Sequence, residues 1–266
     1  MDYTINIKGH LMSLAEPQVM GIMNVTPNSF YAASRVQTEE AIRRRVEQIR
    51  DEGASIIDVG ACSTNPFLEK LTTEEEEMAQ LDMALAIMRD MGNELPVSID
   101  TFRPRVARMC IEKYGADIIN DISTGEDPAM FTLVAKTGTP YILMSQKATL
   151  HDILIEFAAK VQQLRDLGQK DIILDPGFGF GKTAEQNFAL LEQTDRFSVM
   201  DLPVLVGISR KRMIYQTLGI TADQSLNGTT VLNTIALMRG VAILRVHDVK
   251  EAVEAVKLCR QLKTPV

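Results

Sequence analysis

Residues 172–182 read IILDPGFGFGK. The opening aliphatics have no polar alternation, the pattern of a strand covered on both faces, as in parallel sheets. Asp175 ends the run and a glycine-rich loop follows. Three glycines ahead of Lys182 and Thr183 suggest a phosphate loop, but the spacing excludes it. A Walker loop, G-x-x-x-x-G-K-[ST], would put its first glycine at Pro176, which has no N–H to offer. A dinucleotide pattern started at Gly177 or Gly179 ends on Lys182 or Ala184. Asp175 would also repel a phosphate. The stretch therefore predicts a buried strand, a hydrogen-bond acceptor at its tip, and a ligand that brings donors.

Seven other short apolar runs have the same character: VMGIMNV (19–25), SIIDVGA (55–61), VSIDT (97–101), IINDIS (118–123), YILMS (141–145), VLVGIS (204–209) and AILRVHD (242–248). Helical patterns lie between them. Residues 38–53 carry apolar side chains at 42, 46 and 49 and stop at Gly53. Residues 72–92 open on an acidic first turn, with a capping box expected from Thr72 to Glu75. Residues 251–263 place Val253, Val256 and Leu262 near one face. Eight strands alternating with helices predict a (β/α)8 TIM barrel forming a single domain over residues 1–266. A doubly wound open sheet is the rival, but no glycine-rich turn follows the first strand and no domain break is visible. Residues 3–14 read as two short strands around Lys8 and Gly9. This hairpin, within an extension spanning residues 1–17, is expected to cover the lower mouth of the barrel.

The net charge of −7 argues against a nucleic-acid partner. The three cysteines, Cys62, Cys110 and Cys259, are widely spaced and odd in number, which points to a reducing cytoplasm rather than a disulfide framework. The N-terminal stretch lacks the basic start and apolar run of a signal, and no segment approaches the roughly 18 apolar residues of a membrane span.

In a parallel barrel every strand ends on one rim, and that rim is where sites are built. The polar residues there are Asn24, Asp58 with Ser63 and Thr64, Asp100, Asn120 and Asp121, Ser145 and Gln146, Asp175, Ser209 with Arg210 and Lys211, and Arg245 with His247. Asp58 and Asp121, set among apolar neighbours, read as structural. Acceptors gather on the middle strands and cations on strands seven and eight. That division asks for a two-ended ligand. Asp100, Asn120 and Asp175 would take the N–H edge of a pterin-like or guanine-like ring. Arg245, His247 and the helix after strand seven would take phosphate or diphosphate. Asn24 would offer a neutral oxygen to Mg2+.

The motifs N24-V-T-P-N-S-F30, S98-I-D-T101, I119-N-D-I122, D175-P-G-F-G-F-G-K182, S209-R-K211 and R245-V-H-D248 closely resemble the dihydropteroate synthase family, from about residue 18 to the C-terminus. The resemblance implies a usually dimeric TIM barrel that joins 7,8-dihydropterin-6-ylmethyl diphosphate to p-aminobenzoate in folate synthesis and is a sulfonamide target. It implies that Asp100, Asn120, Asp175 and Lys211 hold the pterin, and that Asn24, Arg245 and His247 meet diphosphate and Mg2+. Thr64, Phe180, Ser209 and the loop around Pro27 and Phe30 would shape the p-aminobenzoate site, with Met144 as an apolar floor. The three loop glycines would let backbone approach the ligand, and Lys182 would be structural or solvated.

The chain departs from the family pattern at Asn28, usually Asp, at Asn65, usually Arg, at Phe67, usually small, and at Ser145-Gln146, commonly His-Met. Two other readings stay open. One is a pterin-handling methyltransferase, whose ligand carries no diphosphate. The other is a non-catalytic paralogue that binds pterin or a folate enzyme.

Overall fold

The computed structural model describes residues 3–25, 38–62 and 72–263. Strands β1 (Thr4–Ile7) and β2 (His10–Ser13) pair antiparallel as the expected hairpin. The barrel strands follow: β3 (Gln18–Asn24), β4 (Ile56–Gly60), β5 (Val97–Asp100), β6 (Ile118–Asp121), β7 (Tyr141–Met144), β8 (Ile172–Asp175), β9 (Leu205–Val206) and β10 (Ile243–Val246). They run parallel in the order β8-β7-β6-β5-β4-β3-β10-β9. A bridge between Leu174 and Val204, with Leu174 N–H donating to Pro203 O at 2.9 Å, joins the two ends of the ring.

Helices fill the connections: α1 (Glu39–Asp51), α2 (Glu74–Asp90), α3 (Pro104–Tyr114), α4 (Pro128–Thr137), α5 (Leu150–Asp166) and α6 (Ala184–Glu192). A 3-10 turn (Thr194–Met200) precedes β9, then come α7 (Arg212–Leu218), α8 (Leu226–Met238) and α9 (Val249–Lys263). The capping box of α2 forms one residue later than expected, between Thr73 and Glu76. On α9, Val253 and Val256 pack against the core, but Leu262 is 73% exposed; Ala252, Ala255 and Cys259 make the buried stripe instead. The seventh strand is ladder-paired over only two residues of the predicted six.

Strand parity divides the interior in two. Met20, Ile56, Ile118, Ile142, Ile173, Leu205 and Ile243 point inward and form one buried cluster with Ile5 and Leu14 of the hairpin region. Alternate residues such as Val19, Ile57, Ile99, Ile119, Leu143, Leu174 and Leu244 point outward and pack under the helices. Burial on both faces is why these runs lack polar alternation. The hairpin stops the lower mouth, as expected. Its side chains enter the barrel, Asn6 N–H donates to Asp171 Oδ1 at 3.2 Å, and Lys8 Nζ pairs with Asp117 Oδ1 at 2.8 Å. Those aspartates stand just before β8 and β6, on the lower face.

Candidate active site

The inward parity that carries aliphatics at the bottom of each strand carries polar groups one step higher. Asn24, Asp58, Ser98, Asp100, Asn120, Met144, Asp175 and Arg245 all lie an even number of residues above an inward aliphatic or in register with one. Their hydrogen bonds show that they meet. Arg245 Nε donates to Asp58 Oδ2 and Arg245 Nη2 to Asp100 Oδ2, both at 2.6 Å. Asn120 Nδ2 donates to the same Asp58 oxygen at 3.2 Å. Asp58, read from the sequence as structural, is therefore the node of the site. Asp121 is structural as expected: it points outward and accepts from Tyr141 Oη and Ser123 N–H, each at 2.7 Å.

Arg245 thus stands among the acceptors rather than across from them. Burial opposes its charge, but Asp58 and Asp100 hold the proton on. Asp100 is pushed up to about 7, chiefly by burial; Arg245 pulls it down, while Asp58, Glu77 and Asp121 push it further up. Ser98 Oγ, Asp58 Oδ1 and Asn120 Oδ1 are buried and find no hydrogen-bond partner among the described residues. A buried acceptor left unmet costs about 1–3 kcal/mol, so these three atoms favour a ligand rich in donors.

Asp175 is buried at the tip of β8. Its Oδ1 accepts from Gly177 N–H at 2.8 Å, and its other oxygen accepts from no described residue. Burial raises its pKa, with Lys211 the main opposing charge. Lys211, brought in by the turn after β9, donates to Phe178 O and sits 4.6 Å from the centre of the Phe180 ring. Burial lowers Lys211 to about 8 against the pull of Asp175. Phe180 is half-buried and gives one face to that ammonium, while Phe178 is core. Met144 pairs in register with Asp175 and is fully buried, as a floor residue would be.

The loop glycines have a reason within the protein itself. Gly177, Gly179 and Gly181 have φ of 69°, 82° and 61°. A Cβ on them would stand 2.0 Å from Ser145 O, 2.9 Å from Lys211 Cδ and 3.0 Å from Gln146 O. They are required by the left-handed backbone and by close packing on the protein's own β7 loop and Lys211. Lys182 is structural: its Nζ reaches Gly177 O at 2.9 Å, Phe180 O at 3.2 Å and Ser145 O at 3.4 Å, clamping the loop from behind. Ser145 Oγ donates to Glu156 Oε2 at 2.5 Å and Gln146 Nε2 to Ile122 O at 3.0 Å, so both replaced positions serve local structure.

At the other end, His247 Nδ1 lies 3.1 Å from Ser209 Oγ, which also accepts from the His247 main-chain N–H at 3.2 Å. The hydroxyl can donate to Nδ1 or accept from it, so this contact ties the ring to Ser209 in either tautomer of the neutral imidazole. Burial and the cations Arg245, Arg45, Arg210 and Lys211 bring His247 down to about 3, so it is a neutral donor here and not one of the cations. Arg210 is also removed from the cationic end. Its φ of 53° turns it onto Asp248, where Nε and Nη2 donate at 2.9 and 2.8 Å, and Nη1 reaches Ala222 O and Asp223 O.

Asn24 Oδ1 and Asp100 Oδ2 each lie 3.5 Å from where a Cβ on Gly60 would stand. No group of three His, Cys, Asp or Glu side chains suited to a metal exists among the described residues. Thr64, Pro27, Phe30, Asn28, Asn65 and Phe67 lie outside the described residues. Sequence reading missed two participants, Asp58 and Arg45. Strand parity was the available signal for the first; for Arg45, the third of three consecutive arginines on a helix, nothing in the sequence set it apart from Arg43 and Arg44.

Comparison with known proteins accords with this geometry. Residues 20–247 match the family model described as pterin binding enzyme. The dihydropteroate synthase of Escherichia coli K12 is 37% identical over 94% of this chain and 93% of its own length. The Coxiella burnetii dihydropteroate synthase solved with pteroic acid superposes with a TM-score of 0.91 at 32% identity, over 98% of this chain and 99% of that one. A Yersinia pestis dihydropteroate synthase solved as a sulfonamide drug complex gives the same TM-score of 0.91 and 32% identity, over 98% and 99% of the two chains. The chain belongs to the pterin-binding enzyme family, among the dihydropteroate synthases.

Proposed function

We propose that this chain joins 7,8-dihydropterin-6-ylmethyl diphosphate to p-aminobenzoate, releasing diphosphate and dihydropteroate. The observation that carries the reading is the cluster of buried acceptors with unmet valence on Asp58, Ser98 and Asn120, inside a barrel whose rim also carries Asp175 and Lys211. A pterin edge presents N–H donors, the kind of group such acceptors take.

The chemistry is substitution at the methylene carbon: the carbon–oxygen bond to diphosphate breaks and a carbon–nitrogen bond to the arylamine forms. Asp175 and Asn120 hold the ring, and Asp100 and Asp175 favour positive charge developing on it. The imidazole of His247 meets the departing diphosphate, with Arg245, anchored on Asp58 and Asp100, supplying positive charge beside it. The arylamine is neutral at pH 7 and attacks without a strong base, so no residue is assigned that role; its proton leaves to solvent. Phe180 and Ser209 border the p-aminobenzoate position, over the Met144 floor. Asn24 offers one oxygen beside Asp100, which suits Mg2+ arriving on the diphosphate better than a resident ion held by protein alone. Mg2+ when bound would neutralise charge on the leaving group.

Diphosphate release, assayed with the pterin diphosphate and Mg2+, should appear only when p-aminobenzoate is added. Release without it, or ligand binding with no release under any condition, contradicts the synthase reading and favours a non-catalytic one. A methyltransferase would have no use for the diphosphate-facing residues.

The functional unit is a homodimer built on α8 and α9. Val231, Ile235 and Met238 form an exposed apolar stripe on α8, and Leu258 and Leu262 another on the adjoining α9. An Ile235→Asp variant should sediment as a monomer where the parent sediments as a dimer; a monomeric parent would dismiss the idea. The three cysteines are free, in keeping with a cytoplasmic site of action.

A further inference from the structure

Arg45 lies on α1, outside the barrel wall, in none of the sequence motifs. It is 7% exposed. Its Nε and Nη2 donate to Ile22 O at 3.2 and 2.9 Å, and Nη2 also donates to His247 O at 2.9 Å. Nη1 reaches Gln48 Oε1 on the same helix at 3.0 Å. One side chain therefore ties together two main-chain carbonyls, one in β3 and one just beyond the end of β10. Ile22 is two residues before Asn24 in β3, and His247 is the residue after β10 ends.

The contact depends on how close α1 and α9 come to β3. A Cβ on Gly21 would stand 2.8 Å from Ile49 on α1 and 2.9 Å from Val249 on α9. Both helices thus rest on a bare backbone, and Arg45, one turn before Ile49, lies in the seam. A guanidinium is a rigid planar fork, so it fixes the separation of the acceptors it bridges; an ammonium on a flexible stem does not. The two strand tips it joins are those that carry Asn24 and His247.

We propose that Arg45 is a positioning residue for the leaving-group end: it sets the spacing of the β3 and β10 tips and so the geometry with which Asn24 and His247 receive diphosphate. The proposal rests on the synthase reading above. Arg45 touches neither substrate in that reading, and the carbonyls it holds belong to the β3 and β10 ends that carry Asn24 and His247, so its loss should fall first on the diphosphate end.

The test compares full-length parent, Arg45→Met and Arg45→Lys for binding of magnesium pyrophosphate, for kcat, and for KM of each substrate. Arg45→Met should weaken pyrophosphate binding about tenfold or more, the equivalent of one charge-assisted hydrogen bond, and lower kcat. The KM for p-aminobenzoate should stay unchanged. Arg45→Lys, which keeps the charge and loses the fork, should restore the melting temperature but only part of the pyrophosphate affinity. Unchanged pyrophosphate affinity in Arg45→Met, or equal losses for both substrates, overturns the proposal. If Arg45→Met fails to fold, Arg45→Lys carries the comparison, and full pyrophosphate affinity in that variant overturns it. A parent that binds pyrophosphate but never turns over fails the synthase reading alone, since the Arg45 comparison is read on binding.

Discussion

Asp175→Asn should lose pterin binding by on the order of 100-fold or more while folding normally. The carboxylate has one oxygen committed to Gly177 N–H at 2.8 Å and the other accepting from no described residue. The amide can keep the first bond, because its oxygen still accepts from Gly177. Toward the ligand it turns an acceptor into an NH2 group, so the ring's N–H edge meets donors instead of a carboxylate. The loss combines a charge-assisted hydrogen bond with a buried donor left unmet, which is why it exceeds a simple deletion. Lys211 would also lose the charge that opposes its own burial. Calorimetric titration with the pterin diphosphate, alongside a melting curve, separates the two effects. Parent-like affinity would refute the ring-holding role of Asp175.

Arg245→Ala should be strongly destabilising. Arg245 bonds Asp58 and Asp100 at 2.6 Å each, and Asp58 is fully buried. Removing the cation leaves two facing carboxylates with Asn120 as the donor on Asp58, and a buried pair broken on one side typically costs about 3–5 kcal/mol. The cost has a predictable pH dependence. Asp100 in the folded parent is already raised to about 7, above its ordinary value of 3.8. A carboxyl raised on folding is held protonated by the folded state, so the stability it contributes is present at low pH and lost as pH rises through that window. Without Arg245 the window moves higher still. The gap in melting temperature between parent and variant should therefore be narrower at pH 5 than at pH 8. A gap that widens on acidification would contradict the placement of Arg245 between two carboxylates. Activity should fall as well, because the same guanidinium holds the Asp58 and Asp100 carboxylates of the candidate site in place.

Much of this was legible in the chain, and the reasons differ by element. The barrel strands were readable because each is buried on both faces and so shows an unbroken aliphatic run, as at Ile172–Leu174 or Ile56–Ile57. The seventh was overextended: apolarity continues through Ile208, but the ladder covers only Leu205–Val206 before the chain turns to the left-handed Arg210. Hydrophobicity reports burial and not pairing, so it misjudged that strand's length. The rim residues Asp100, Asn120, Asp175 and Arg245 were found because polar groups at strand ends have few structural reasons to be there. Asp58 and Asp121 looked alike by that criterion. Only register separates them, since Asp58 shares inward parity with Ile56 and Asp121 shares outward parity with Ile119.

Charge was the least readable property. Arg210, Arg245 and His247 are adjacent in the fold and were read together as a cationic end. Arg210 is bound by Asp248, Arg245 by Asp58 and Asp100, and His247 stands neutral among the arginines. Which partner a buried cation takes depends on side-chain reach across the barrel, and no linear pattern records that. The glycines of residues 177–181 show the same limit. Their number was informative, but the surfaces they accommodate are Ser145, Gln146 and Lys211.

The most direct test of the central claim is the position of a bound pterin. A crystal structure of this chain with a 6-hydroxymethylpterin should place the ring's amino edge within about 3.2 Å of Asp175 and Asn120, inside the ring of strands and above Met144. A pterin bound elsewhere on the barrel, with Asp175 and Asn120 left untouched, would contradict it.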